Sequence, residues 1–291
     1  YGKTLIQNIL LSEDIMNSIN CLKKLGVKIS LNKKNCYVYG KGLNGFEYKK
    51  NIVLNAGNSG TFARLILGLL VKSPYYIKLV GDKSLSQRDF ERVISPLQKV
   101  GANFKVNIKK TLPLQIIGSE FINPIHYIEN RGSAQCKSTI MLAALNLPGK
   151  TVIKAKKSRD HTENFFKYLG IPIIVKKNKH NDEIKVVGQK AFGSFKYKVP
   201  SDPSSCAFFI VLTLLSKNSE LKIKNVNVND SRIGYIKILN KMGAKIKIKN
   251  IKKRYGEKQA DIFVKSQKTL RKINCSPSLN SSLIDEFLII F

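Results

Sequence analysis

A chain of 291 residues with 43% apolar and 24% charged residues, 19 Gly and 9 Pro has material for two domains, each with its own core, and is neither disordered nor fibrous in composition. Its 51 Lys and Arg against 19 Asp and Glu give a formal net charge of +32, but the lysines are scattered through almost every segment and no helix carries a basic stripe interleaved with aromatics, so charge alone does not make a nucleic-acid-binding protein. No run reaches the roughly 18 uncharged apolar residues of a membrane span, and five Cys without a CxxC pair, beside three His, give no zinc or disulfide framework and suit a reducing compartment.

The first amphipathic segment, SEDIMNSINCLKKLGVKI, places Ile15, Ile19, Leu22 and Leu25 on one helix face and leads through Gly26 into an alternating strand. NSGTFARLILGLLV, from Asn58, is apolar nearly all round, as a buried helix is. SQRDFERVISPLQKVGANFKV returns to the first plan, with Phe90, Val93, Ile94, Leu97 and Val100 on its face, and GSAQCKSTIMLAALNL to the second. SRDHTENFFKYLGIPIIV, DPSSCAFFIVLTLLS and DSRIGYIKILNKMGAKIKI continue the alternation, and LNSSLIDEFLIIF opens a fourth buried helix. The surface helices close on Gly26, Gly101, Gly170 and Gly243, at intervals of 75, 69 and 73 residues, where a left-handed residue ends a helix. The chain is therefore a repeat of strand, helix, strand, helix, strand, strand. It starts at Tyr1 and stops at Phe291 inside an apolar run, and it reads as a fragment lacking both termini.

Chemistry concentrates at the helix starts. GNSGT at 57–61 puts Asn58 and Gly60 where an anion could reach backbone N–H groups, although a capped helix in a tight turn accounts for the glycines equally well. Arg64 lies one turn inside, to reinforce an anion site or to pair with a carboxylate. Arg88, beside Ser84 and Ser86, could grip a carboxylate through two N–H groups. Ser133 and Gln135 open a buried helix, and Ser158, Arg159, Asp160 and His161 open a surface one, where the His reads as a cap or a packed ring rather than a base. Asp285 and Glu286 interrupt an apolar helix, where desolvation of a carboxylate argues for a function at Asp285, with Glu286 read as a surface or domain-contact carboxylate. No Walker loop, GxSxG elbow, HExxH or DFG set occurs.

In this order, GNSGT, SLSQR at 84–88, GSAQCKS at 132–138, SRDHTE at 158–163, VPSDPSSCAFF at 199–209, NDSRIGYIKILNKMGA at 229–244 and LIDEF at 283–287 resemble the 5-enolpyruvylshikimate-3-phosphate synthase family over essentially the whole chain. The resemblance implies an α/β fold of repeated βαβαββ units, the two-domain enolpyruvyl transferase fold or inside-out α/β barrel, with the active site in the cleft between the domains. Residues 1–199 would be most of one domain and 200–291 the opening part of an incomplete second. The implied reaction moves the enolpyruvyl group of phosphoenolpyruvate to the 5-hydroxyl of shikimate 3-phosphate, without metal or cofactor, in a cytoplasmic monomer with neither nucleic acid nor membrane as partner. Gly60, Arg88, Gln135 and Asn58 would face phosphoenolpyruvate. Ser133, Gln135, Ser158, Arg159 and Asp285 would face shikimate 3-phosphate, with Asp285 as general base. The family's Lys-Ser/Arg motif and its later Arg and Glu groups are missing, so these 291 residues alone are expected to be inactive. Asp89 replaces a common Pro and could weaken the grip of Arg88, and Ala134 removes a hydroxyl some members have. The UDP-N-acetylglucosamine enolpyruvyl transferases share fold and donor, but SAQCKS followed by SRDHTE suits the shikimate enzymes better.

Overall fold

The computed structural model describes residues 1–267, 269–274, 283 and 286–290. They form two compact units, the first made of Tyr1–Lys157 and Leu169–Lys198, the second of Ser158–Tyr168 and the residues from Val199 onward. The elements begin with β1 (Gly2–Gln7), α1 (Glu13–Lys24), β2 (Lys28–Asn32), β3 (Asn35–Gly40), β4 (Val53–Asn55), α2 (Gly60–Leu69) and β5 (Ile77–Val80). A 3-10 turn at Leu85–Gln87 leads to α3 (Glu91–Val100), β6 (Asn103–Val106), β7 (Leu114–Ile117), β8 (His126–Glu129), α4 (Ala134–Ala144) and β9 (Lys150–Lys156). Then come α5 (His161–Tyr168), β10 (Ile173–Lys177), β11 (Asn181–Val187), β12 (Lys196–Lys198), α6 (Pro203–Leu215) and β13 (Glu220–Asn227). The last are α7 (Gly234–Lys241), β14 (Lys247–Arg254), β15 (Glu257–Lys265) and the single turn α8 (Phe287–Ile290).

One sheet plan recurs. In β4-β5-β7-β6 the first pair is parallel and the other two are antiparallel, and β8-β9-β11-β10 is built the same way. The sheet β12-β1-β3-β2 follows the plan too, but its outer parallel strand is supplied from the far end of the first unit's sequence. In the second unit the order is β13-β15-β14, and the strand that should flank β13 shrinks to a parallel bridge between Ser201 and Val226. The surface helices end as the sequence predicts, with Gly26, Gly101, Gly170 and Gly243 at φ of 81°, 123°, 70° and 102°, a backbone region that costs other residues strain. The face of α3 is wholly buried. That of α1 is buried at Ile19 and Leu25 and half-buried at Leu22, whereas Ile15, one turn before Ile19, is 38% exposed.

The buried helices differ in how far they are covered. In the first unit α2 and α4 pack so closely that a Cβ built on Gly68 would stand 2.2 Å from the Thr139 carbonyl oxygen. The Thr139 hydroxyl donates to the Arg64 carbonyl at 3.1 Å across the same contact. The expectation of a third all-round buried helix is corrected in the second unit. Its α6 packs on β13 and β15 through Cys206, Ala207, Ile210 and Leu214, but Phe208, Phe209, Leu212 and Leu215 are each more than half exposed. The reason is that α2 and α4 cover each other along their length, whereas the helix that packs beside α6 among the described residues is only the single turn α8. An apolar cavity of about 320 Å³ lies in the first unit against Leu69 and Leu145, just past the ends of α2 and α4, and against Thr4, Val38 and Phe195.

The α2–α4 contact gives a direct test. Gly68→Ala should destabilise the protein by about 1–3 kcal/mol through overpacking, whereas Gly193→Ala, where an added Cβ meets nothing within 4 Å, should be near neutral. Urea unfolding midpoints of the two variants that fall together would refute this packing.

Candidate functional site

The first cluster is built around the start of α2. Asn55 ends β4 and accepts the Gly57 N–H at 2.9 Å, turning the chain through Gly57 at φ 55°. Ser59 then caps the helix, its hydroxyl accepting the Phe62 N–H at 3.3 Å. Gly60, the first helical residue, is not in the left-handed region, so the turn demands glycine at 57 and not at 60. What requires glycine at 60 is proximity: a Cβ there would lie 3.0 Å from Arg88 Nη1 and 3.1 Å from Arg64 Nη1.

Arg88 is held from below. Asp82 accepts the Leu85 N–H at 2.7 Å, fixing the 3-10 turn, and takes the Asn58 amide at 2.5 Å; Arg88 Nη2 donates in turn to Asn58 Oδ1 at 3.4 Å. The hydrogen bond from Asn58, then that from Leu85, hold the Asp82 carboxyl below its usual range despite some desolvation. Asp82 thus orients Asn58, and Asn58 orients Arg88. Asp89, expected to compete for Arg88, accepts the Glu91 N–H at 2.7 Å at the start of α3 and lies 3.6 Å from Arg131.

The start of α4 is attached to the same cluster. Glu129, nearly inaccessible at the end of β8, accepts the N–H groups of Arg131 and Ser133 at 3.0 and 2.9 Å. Ser133 caps α4 by accepting the Cys136 N–H at 3.3 Å. Gln135 accepts from Arg64 Nη1 at 2.7 Å and donates to Thr61 Oγ1 at 2.9 Å, tying the two helix starts together. Arg64 itself is 5% exposed, reaches the Asp89 carbonyl at 3.4 Å and lies over the Phe90 ring at 5.2 Å. Burial, and then repulsion from Arg92 and Arg88, make its guanidinium less basic than usual. Asn58, Gly60, Arg88 and Gln135, with Ser133 two residues before Gln135, are therefore neighbours in the first unit, in a corner rich in cationic charge.

The other sequence-predicted residues lie in the second unit. Ser158 and Arg159 immediately precede α5, and the Ser158 hydroxyl is buried without a hydrogen-bond partner among the described residues. Asp285 falls outside the described residues. Glu286, read from sequence as a surface or domain-contact carboxylate, is 2% exposed, which rules out the surface reading, and the Ser204 hydroxyl donates to it at 2.5 Å. Arg232, which sequence reasoning missed, donates to that hydroxyl at 2.7 Å and to Asp202 at 3.0 Å, while Asp202 caps α6 through the Ser205 N–H at 2.8 Å. Burial raises the Asp202 carboxyl, but the Ser205 and Arg232 interactions outweigh it and leave it below the usual range. Among the described residues no group of His, Cys, Asp and Glu could hold a metal ion, and no helix is long and apolar enough to cross a membrane.

The Arg64–Gln135 link can be tested alone. Gln135→Ala strips a buried cation of its shortest acceptor and should cost about 1–3 kcal/mol of stability, whereas Gln135→Glu keeps an acceptor and should cost less. Equal losses in denaturant unfolding would show that the link does not hold the helix starts.

Comparison with known proteins gives one consistent family. The family model described as EPSP synthase (3-phosphoshikimate 1-carboxyvinyltransferase) matches residues 1–290. The chain is 40% identical over 290 residues to the 3-phosphoshikimate 1-carboxyvinyltransferase of Syntrophomonas wolfei, covering 99% of this chain and 66% of that protein. It is 42% identical over 291 residues to the enzyme of that name from Ruthia magnifica, covering 100% of this chain and 65% of the relative. The solved EPSP synthase of Acinetobacter baumannii superposes with a TM-score of 0.87 at 34% identity, over 98% of this chain and 64% of that one. The chain thus spans about two thirds of the length of these relatives.

Proposed function

From a chain that belongs to the EPSP synthase family, we propose that the full-length protein transfers the enolpyruvyl group of phosphoenolpyruvate to the 5-hydroxyl of shikimate 3-phosphate. The observation that carries this reading is the corner over α2, where two guanidinium groups lie 3.0 and 3.1 Å from a Cβ position that Gly60 leaves empty. A helix N-terminus adds the positive end of its dipole to that charge. A small polyanion carrying a carboxylate and a phosphate would find cationic donors there, Arg88 above all.

Gly60 and Arg88, with Asn58 and Gln135 beside them, hold phosphoenolpyruvate. Ser133, Gln135, Ser158 and Arg159 hold shikimate 3-phosphate, and the unpartnered Ser158 hydroxyl supports a ligand contact at that residue. The 5-oxygen adds to C2 of phosphoenolpyruvate as its proton passes to Asp285 and C3 gains a proton, giving a tetrahedral intermediate. Loss of phosphate and of a C3 proton then leaves the enol ether. The scheme calls on no metal or cofactor, and the protein acts as a cytoplasmic monomer on two small polyanions.

In the full-length enzyme Asp285→Asn should lower turnover on the order of 100-fold or more while leaving substrate affinity nearly unchanged, because the amide keeps the shape but cannot take the proton. Steady-state kinetics with unaltered turnover would remove Asp285 from the reaction.

The family resemblance also implies competition by glyphosate, a longer molecule than phosphoenolpyruvate, and Gly60→Ala places a methyl group against Arg88 and Arg64 where the longer molecule has less room. The glyphosate inhibition constant should rise about tenfold or more relative to the Michaelis constant for phosphoenolpyruvate, a difference of ~1.4 kcal/mol. Parallel shifts in the two constants would sink the assignment of Gly60 to this subsite.

A further inference from the structure

A buried polar junction in the second unit is not used by the scheme above. Glu257, at the start of β15, is 6% exposed and accepts four hydrogen bonds. Its Oε1 takes His161 Nδ1 at 2.9 Å and the Asn164 amide at 3.2 Å. Its Oε2 takes the amides of Asn229 at 3.0 Å and Asn227 at 3.4 Å. Asn229 also donates to Asp160 Oδ1 at 2.8 Å, so Asp160, His161 and Asn164, the first turn of α5 and the residue before it, are all tied to this centre. The hairpin that carries Glu257 approaches α5 closely. Gly256, at φ 82°, brings the turn so near that a Cβ would stand 2.4 Å from the Asn164 carbonyl oxygen, and the rings of Tyr168 and Tyr255 meet edge to face at 5.8 Å.

A carboxylate receiving four donors fixes orientation as well as position, and Asp160 Oδ1, the second acceptor of the Asn164 and Asn229 amides, closes the same network from the other side. Burial pushes the Glu257 carboxyl up, but the His161 and amide hydrogen bonds outweigh this and keep it below the usual range. A helix anchored at its first turn also fixes the residues just before it, here Ser158 and Arg159. We propose that Glu257 is a positioning residue for shikimate 3-phosphate, holding the start of α5 through His161, Asn164 and the Asn229–Asp160 bridge so that Ser158 and Arg159 are presented to the substrate. The inference rests on the reading of Ser158 and Arg159 given above. Glu257 touches no reacting atom, and its effect falls on one substrate.

The test uses the full-length enzyme with shikimate 3-phosphate and phosphoenolpyruvate. Glu257→Ala should raise the dissociation and Michaelis constants for shikimate 3-phosphate about tenfold, leave the Michaelis constant for phosphoenolpyruvate within about twofold, and speed amide exchange at residues 158–165. His161→Leu, which keeps Glu257 and so guards against a variant that fails to fold, should act in the same direction. His161→Asn, whose amide reproduces the Nδ1 donor, should restore affinity. In the Glu257→Ala background His161→Leu should add less than about twofold, since the two residues work through one contact. Both Michaelis constants rising together, unchanged shikimate 3-phosphate affinity in an active enzyme, or His161→Asn as impaired as His161→Leu would each overturn the inference. A wild-type enzyme that releases no phosphate on addition of shikimate 3-phosphate would overturn the functional reading first, and this inference with it.

Discussion

A guanidinium closed between two helix starts sets the terms for the rest of the first unit. Arg64 is removed from water, a state that costs a charged group several kcal/mol unless its N–H groups are met. Gln135 from α4, the Asp89 carbonyl and the Phe90 ring meet them in part. This requires α2 and α4 to approach closely, and the absence of a side chain at Gly68 permits it. It also requires the chain before α3 to turn its carbonyl inward at Asp89, which places Arg88 on the neighbouring surface. One buried charge therefore correlates three segments far apart in sequence. The Nε of Arg64 stays buried without a partner, so the arrangement is not the cheapest available for folding alone.

The repeat supplies a hydroxyl cap twice and a carboxylate cap the third time. Ser59, Ser133 and Asp202 stand at equivalent positions, each accepting an N–H three residues on, from Phe62, Cys136 and Ser205. The hydroxyl caps leave the helix start electrically positive, which suits a corner that already holds Arg64 and Arg88. The carboxylate cap at Asp202 instead attracts Arg232, and through Ser204 that arginine connects to Glu286. A change from hydroxyl to carboxylate at one repeated position thus turns an electropositive helix start into an internally neutralised one.

Much of this was legible in the sequence because it is written locally. The four closing glycines, the amphipathic stripes and the residues at the buried-helix starts need only a window of a dozen residues. What the sequence hid depends on partners far along the chain. Gly60 looked like a turn residue, and only the approach of Arg88 from 28 positions away shows why no side chain fits. Glu257 sits in an unremarked hairpin, and its bonds to His161 and Asn229 span 96 and 28 positions. The apolar pattern of α6 correctly marked a helix meant for an interior, but whether a neighbour covers Phe208 and Phe209 is not a property of the helix. β12 is three residues long and β4 no longer, too short for any periodicity to announce them.

The pairing of β12 with β1 has a consequence in time. Ribosomes release a chain from its N-terminus, and a sheet whose outer strand comes last cannot close until that strand has emerged. The contact between Thr4 and Phe195 spans 191 positions, which at roughly 5–20 residues per second takes on the order of 10–40 s to synthesise. During that interval β1 carries a bare parallel edge while the two sheets between, each closed over shorter separations, can already fold. The first unit therefore assembles around its middle and is sealed by its ends, and the exposed edge of β1 is the feature most in need of shielding while the chain is being made.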